Sequence, residues 1–207
     1  MELIRYLERY FFTREQLLDR CAIELAQLAK LQAARMAPAP SYRLRLDIGC
    51  DSFFGPWAGA AAADYYAKGY VAWIGQLAGL DGEAQARALF DQRYMARLDQ
   101  LRAGGIAPGA PAFASEEHLR AEWSAFLDGT YGLCTVSGLP EDIAAKEAAV
   151  TVINETAPAA ATDALAKARL RTAVDLLDSV AAPFAPHEVA RSSRQRYVNA
   201  MREAHRL

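Results

Sequence analysis

The chain lacks most of the signals that assign a protein to a chemical class. It has three cysteines, Cys21, Cys50 and Cys134, an odd number with no close pairing. A disulfide scaffold is therefore not expected, and free thiols fit a reducing compartment. It has three histidines, and neither a His-x-x-x-His nor a Cys-x-x-Cys spacing occurs. The sequence thus implies no metal site and no cofactor, because a divalent site needs three or four convergent ligands. Asp47-Ile-Gly-Cys50-Asp51 sets two carboxylates around a thiol without a third ligand nearby, and reads as part of a loop from Asp47 to Trp57. No run approaches the ~18 apolar residues of a membrane span; Gly69 to Leu80 is the longest and holds Gln76. Acidic and basic residues at the N-terminus stand where a signal peptide needs an apolar stretch, so a cytoplasmic location is expected. Charge of one sign is also missing. The net charge of −2 argues against a chain-wide basic footprint for nucleic acid.

What is present belongs to a globular chain. Of 207 residues, 53% are hydrophobic and 23% charged. Helical periodicity dominates. Leu3, Ile4, Leu7 and Phe11 recur on one face of a first helix. Thr13 with Gln16 forms a capping-box pattern ahead of Leu17 and Leu18. A further helix carries Leu25, Leu28 and Met36 and stops at Pro38-Ala-Pro40. Only Ser41 to Ile48 alternates like a strand. Ala58 to Leu80 reads as a helix broken by glycines. Ile106 to Ala114, with Pro108 and Pro111, reads as a flexible connection. Pro140-Glu141-Asp142 opens the clearest helix, since proline suits its first position and carboxylates its first turn. Ala166, Leu170, Ala173, Val174, Leu177 and Val180 form an apolar stripe, and a last helix is expected from His187 to about His205. The predicted fold class is all-α or nearly so, with a helix-turn-helix-like subdomain over 1–46 packed on a larger helical domain over 47–207.

Two polar segments gather the candidate chemistry. Phe126 to Thr135 holds Tyr131 and Cys134 among glycines, and Phe184 to Arg194 holds His187, Glu188, Ser192, Ser193 and Arg194. A histidine titrates near neutrality and suits an acid or base. Cys134 would be its nucleophilic partner if folding joined them, though a free cysteine is more often a small buried thiol. Tyr131 would donate a hydrogen bond to a ligand. Arg194, Ser192, Ser193 and Glu188 at the expected helix start suit a small, anionic ligand. His118 and His205, bracketed by charges, read as solvent-facing.

Residues 12–46, a capped short helix, a turn, a second helix and then Pro-Ala-Pro-Ser-Tyr-Arg, resemble the opening of mercury-resistance-type (MerR) regulators. In that family the second helix reads the major groove and a basic wing follows. Lys30, Arg35, Arg43 and Arg45 are few and scattered cations for phosphate neutralisation, so binding of nucleic acid is not the leading expectation.

Several motifs in order carry a second resemblance, spanning nearly the whole chain. They are Pro38-Ala-Pro-Ser-Tyr-Arg43; Phe53-Phe-Gly-Pro56 with Tyr70-Val-Ala-Trp73; Gly129 to Thr135 followed by Ile143 and Lys146-Glu147; and Phe184-Ala-Pro-His-Glu188 with Ser192-Ser-Arg194. Together they resemble a bacterial family of unknown function whose members are usually labelled natural-product biosynthesis proteins. The resemblance implies a bacterial cytoplasmic protein that binds a small molecule of such a pathway. It brings no catalytic residues, and it leaves oligomeric state and enzymatic status open. A helix-turn-helix DNA-binding regulator is the alternative.

Overall fold

The computed structural model describes residues 2–106, 113 and 115–207. The connection expected between Ile106 and Ala114 falls almost entirely outside the described residues. The chain opens with α1 (Glu2–Tyr10), a short strand β1 (Phe11–Thr13), α2 (Arg14–Cys21) and α3 (Leu25–Ala33). Thr13 Oγ1 accepts from the Gln16 amide and the Gln16 side chain accepts from Thr13 N, so the capping box closes on both sides. Ala22, with φ of 52°, ends α2 in the left-handed conformation.

A three-stranded sheet overturns the expectation of an all-α chain. β2 (Tyr42–Ser52) and β3 (Gly55–Ala67) form a long hairpin, and β1 adds to β3 to complete an antiparallel sheet of order β1-β3-β2. The fold is mixed α/β. The register runs from Tyr42 opposite Tyr65 to Ser52 opposite Gly55 without a break, and Phe11 faces Ala67 on the other side. The segment read as a loop from Asp47 to Trp57 is thus strand on both sides of a two-residue turn, Phe53-Phe54. The segment read as a helix from Ala58 is strand as far as Ala67. Its alanines favour helix when isolated. Eleven cross-strand pairs with β2 override that preference, and alanine on both faces erases the alternation that marks a strand. β2 also passes residues 46 and 47 unbroken.

Seven further α-helices follow among the described residues. α4 (Tyr70–Gln76) and the long α5 (Gly82–Ala103) precede α6 (Glu116–Leu127), the single turn α7 (Thr130–Cys134), α8 (Pro140–Thr156) and α9 (Ala164–Val180). A wide π-helical segment, Arg194–Asn199, then runs into α10 (Ala200–His205). The expected helix start at His187 is displaced: only a short turn at Val189–Arg191 precedes Ser192. Glu188, tied to the Tyr42 hydroxyl of the sheet and to Ala185 N, holds that stretch in a turn, and Phe184 takes φ of 64°.

One core cluster stacks aromatic rings from three helices, with Trp73 and Phe126 at 4.9 Å and Phe90 and Trp123 at 5.5 Å. The Trp73 indole donates to the Met36 carbonyl at 2.8 Å, which satisfies a polar atom in the deepest layer. A second cluster lies between α8 and α9 under Val198, and a third joins Tyr6, Leu7 and Phe11 of the first elements to Tyr65 and Ala185. The sheet base is thereby gripped by the body, while its far end leaves it. Among the described residues no helix is long and apolar enough to cross a membrane.

Candidate functional site

α7 is a turn of five residues wedged between α6 and α8, and its shape depends on glycines. Gly129 precedes it with φ of +79°, where a Cβ would come within 2.7 Å of the Ala39 carbonyl oxygen. Ala39 N in turn donates to the Leu127 carbonyl at 2.8 Å. A Cβ on Gly132 would collide with Ser41 Oγ and stand 2.7 Å from the Tyr70 hydroxyl. The Pro38–Arg43 and Gly129–Thr135 motifs are therefore two halves of one joint, closed by backbone proximity. Gly129→Ala combines left-handed strain with a backbone clash, and should cost about 2 kcal/mol or more in chemical denaturation.

The joint turns Tyr131 inward. Its hydroxyl donates to Glu122 Oε2, a carboxylate on the buried face of α6 beside Trp123 and Phe126. Both residues are almost fully enclosed, at 6% and 8% exposure. α8 supplies the rest of the cluster. Lys146 Nζ lies 5.7 Å from the Tyr131 ring centroid and 3.8 Å from Glu147 Oε1. From α5, the Tyr94 hydroxyl shares a hydrogen bond of 3.0 Å with His118 Nε2. His118 is thus half-buried and held, not freely solvated as its charged neighbours imply.

Burial sets the electrostatics. The Glu122 carboxyl is pushed up to about 7, chiefly because its charged form is desolvated. The hydrogen bond from Tyr131 and the charge of Lys146 oppose that rise, and Glu147 adds to it. The Tyr131 phenol is pushed above its ordinary range by burial and then by Glu122, so it acts as a neutral donor. Burial also raises the Cys134 thiol, with Lys146 pulling the other way. A neutral thiol is a poor nucleophile. A carboxyl poised near neutrality, a phenol donor and an ammonium within one cluster are suited to moving a proton on a bound molecule.

The second segment has a different environment. Arg194 Nη1 pairs with Asp178 Oδ1, Nη2 donates to the carbonyls of Asp178 at 2.8 Å and Ala181 at 3.1 Å, and Nε donates to Ala182 O at 3.3 Å. Its fork thus caps the end of α9, where a cation also meets the helix dipole. Ser192 Oγ donates to Val189 O at 2.7 Å and accepts from Gln195 N at 3.0 Å. Ser193 is half-buried. Glu188 Oε2 accepts from the Tyr42 hydroxyl at 2.7 Å and from Ala185 N at 3.3 Å, fixing the loop to the sheet base. His187 remains more than half exposed, with Nε2 3.7 Å from Glu188 Oε1. Among the described residues no hydrogen bond or ion pair joins His187 to Tyr131 or Cys134.

Tyr131 and Cys134 are thus brought together with Glu122, Lys146 and Glu147. His187, Glu188, Ser192 and Arg194 gather separately against α9 and the sheet. Glu122 escaped the sequence reading because a lone acid in a helix ordinarily faces water. Its signal was position: it falls between Leu119 and Trp123 on the apolar stripe of α6. Among the described residues no group of three or more His, Cys, Asp and Glu converges as a metal would require, and the three cysteines are free.

A family model described as a family of unknown function (DUF6058) matches residues 86–206. That span contains Glu122, Tyr131, Cys134, Lys146 and Arg194. No curated protein and no solved structure matches the chain.

Proposed function

The chain belongs to this family of unknown function, and we propose that it is a bacterial cytoplasmic protein of a small-molecule pathway that binds a small metabolite and moves a proton on it. One observation carries the reading: a carboxyl enclosed at 8% exposure, held near 7 and donated to by a phenol. Burying such a group costs stability, and a carboxyl so strongly shifted beside a phenol and an ammonium is the arrangement that proton-transfer chemistry uses. Glu122 is the acid–base group, Tyr131 orients it, and Lys146 is the cation nearest to a ligand's negative charge. This role moves anion recognition from Arg194, whose donors serve α9, to Lys146. The pathway assignment rests on the resemblance in motifs to proteins labelled for natural-product biosynthesis. Native mass spectrometry of the protein from its producing cells tests it. A bound metabolite is expected, released or unprocessed in the Glu122→Gln variant. A ligand-free protein whose Gln variant sustains pathway output would sink the reading.

A specific observation favours the alternative regulator. A sheet of order β1-β3-β2 enclosing α2 and α3, with a hairpin after them, matches the arrangement of winged helix-turn-helix proteins, and this is an analogy of fold alone. The surface chemistry opposes it. Arg35 pairs with Glu83 and Arg14 with Asp64, Leu25 is half exposed on α3, and the wing carries Asp47 and Asp51. Few cations remain for phosphate, so affinity for random duplex DNA should be weak. A mobility-shift titration at near-physiological salt should show no complex at micromolar protein. A salt-sensitive shift abolished by Arg43→Ala with Arg45→Ala would reverse the order of the two readings.

A further inference from the structure

The far half of the β2–β3 hairpin is exposed on both faces. Phe53 and Phe54 at the tip are 97% and 95% exposed, Trp57 is 60% exposed and Ile48 41%. A two-stranded ribbon standing in water is marginal by itself, and a long uncovered edge strand invites pairing. β2 is that edge, because the sheet order is β1-β3-β2. The ribbon is also sided. Leu44, Leu46, Ile48 and Cys50 share one face, with Trp57 laid over Gly59 where a Cβ would overlap its ring. The other face of β2 carries Arg43, Arg45, Asp47 and Asp51, all exposed.

The charge order along this edge selects its occupant. Pro56, opposite Asp51, has no N–H to give, so that pair is of the non-bonded kind and strict alternation results. The amides and carbonyls of residues 43, 45, 47, 49 and 51 therefore face outward. A second copy added antiparallel about a twofold axis must match odd residues with odd residues. Centring the axis on Asp47 sets Asp47 against itself, and centring it on Arg45 sets Arg45 against itself. Centring it on Leu46 sets Arg45 opposite Asp47 twice, Leu44 opposite Ile48 twice, and Leu46 against its own copy. Unlike charges and apolar side chains then face each other at every one of these positions.

We propose that the β2 edge is a homodimer interface in which two hairpins join about Leu46 into one six-stranded antiparallel sheet. The occupant is a second copy of this chain, chosen by the self-complementary charge order of the strand. The mode is strand addition at a sheet edge.

Sedimentation across a concentration series tests it, with circular dichroism to verify folding of each variant. The wild type should reach a dimer. Arg45→Asp, which sets like charges opposite each other twice, should weaken the dimer by about tenfold or more, and the Arg45→Asp, Asp47→Arg double swap should restore it to within about threefold. The register is read separately by crosslinking in a Cys50→Ser background. Leu46→Cys should form a disulfide between copies under mild oxidation, and Ile48→Cys should not, because its counterpart is Leu44. A protein monomeric at every concentration overturns the proposal. So does a dimer indifferent to Arg45→Asp, or a swap that fails to rescue. A monomer that sediments with phosphatidylcholine–phosphatidylglycerol vesicles through Phe53 and Phe54 also overturns it, in favour of a membrane contact.

Discussion

Glu122→Gln should flatten the pH dependence of folding stability and, under the proposed function, abolish proton transfer to a metabolite in the same variant. The folded carboxyl titrates near 7 and an unperturbed glutamate near 4.5. Between these values the folded state holds a proton that the unfolded chain has released. The stabilising contribution is thus complete below the unfolded value and is lost as pH rises through the folded one. The shift corresponds to about 3 kcal/mol of lost stability between mildly acidic and mildly alkaline solution. Gln keeps an oxygen for the Tyr131 hydroxyl, stays neutral at every pH and matches the protonated acid in size. Urea denaturation across a pH series should therefore show equal stabilities near pH 4 and a Gln variant ahead of wild type near pH 8. A wild-type profile flat through that window would mean that Glu122 titrates as an ordinary surface acid, and its role as the acid–base group would fall with it.

Arg194→Ala should lower stability by about 3 kcal/mol, because it leaves a half-buried Asp178 with only Arg202 and strips three carbonyls at the end of α9 of a donor. For a chain of this length that is a fall in Tm of about 10 °C. Arg194→Lys should recover little of it, since an ammonium cannot reproduce a fork that reaches an acid and three carbonyls at once. His187→Ala in the same segment should change stability by less than about 0.5 kcal/mol, as exposed positions do. An Arg194→Ala variant with an unchanged melting curve and weakened metabolite binding would return the anion-anchor role to this arginine.

These two residues show how far sequence reasoning reaches. Arg194 stood out because it sits among serines and arginines after prolines. That composition fits an anion site and a helix cap equally well, and only the location of α9's free carbonyls separates them. Glu122 did not stand out at all. Its chemistry comes from neighbours 9 and 24 positions away, Tyr131 and Lys146, which local spacing cannot bring together. The hairpin failed for a third reason. Ala58 to Ala63 offers the same small apolar side chain on both faces, so neither the helical nor the strand period is written there.

The features that can be read along the chain are local. The Thr13 cap, the start of α8 at Pro140 and the apolar stripe of α9 each depend on residues within a few positions, where propensity and hydrogen-bond supply decide the outcome. Contacts between distant segments set the rest. They turned an alanine-rich segment into a strand by giving it a partner, displaced a helix start from His187, and committed the Arg194 fork to a neighbouring helix. They also enclosed one carboxyl deeply enough to hold its proton near neutrality. All four outcomes share a cause. Strand pairing, desolvation and ion pairing are set by what lies opposite in space, and the chain folds distant positions against one another to supply it.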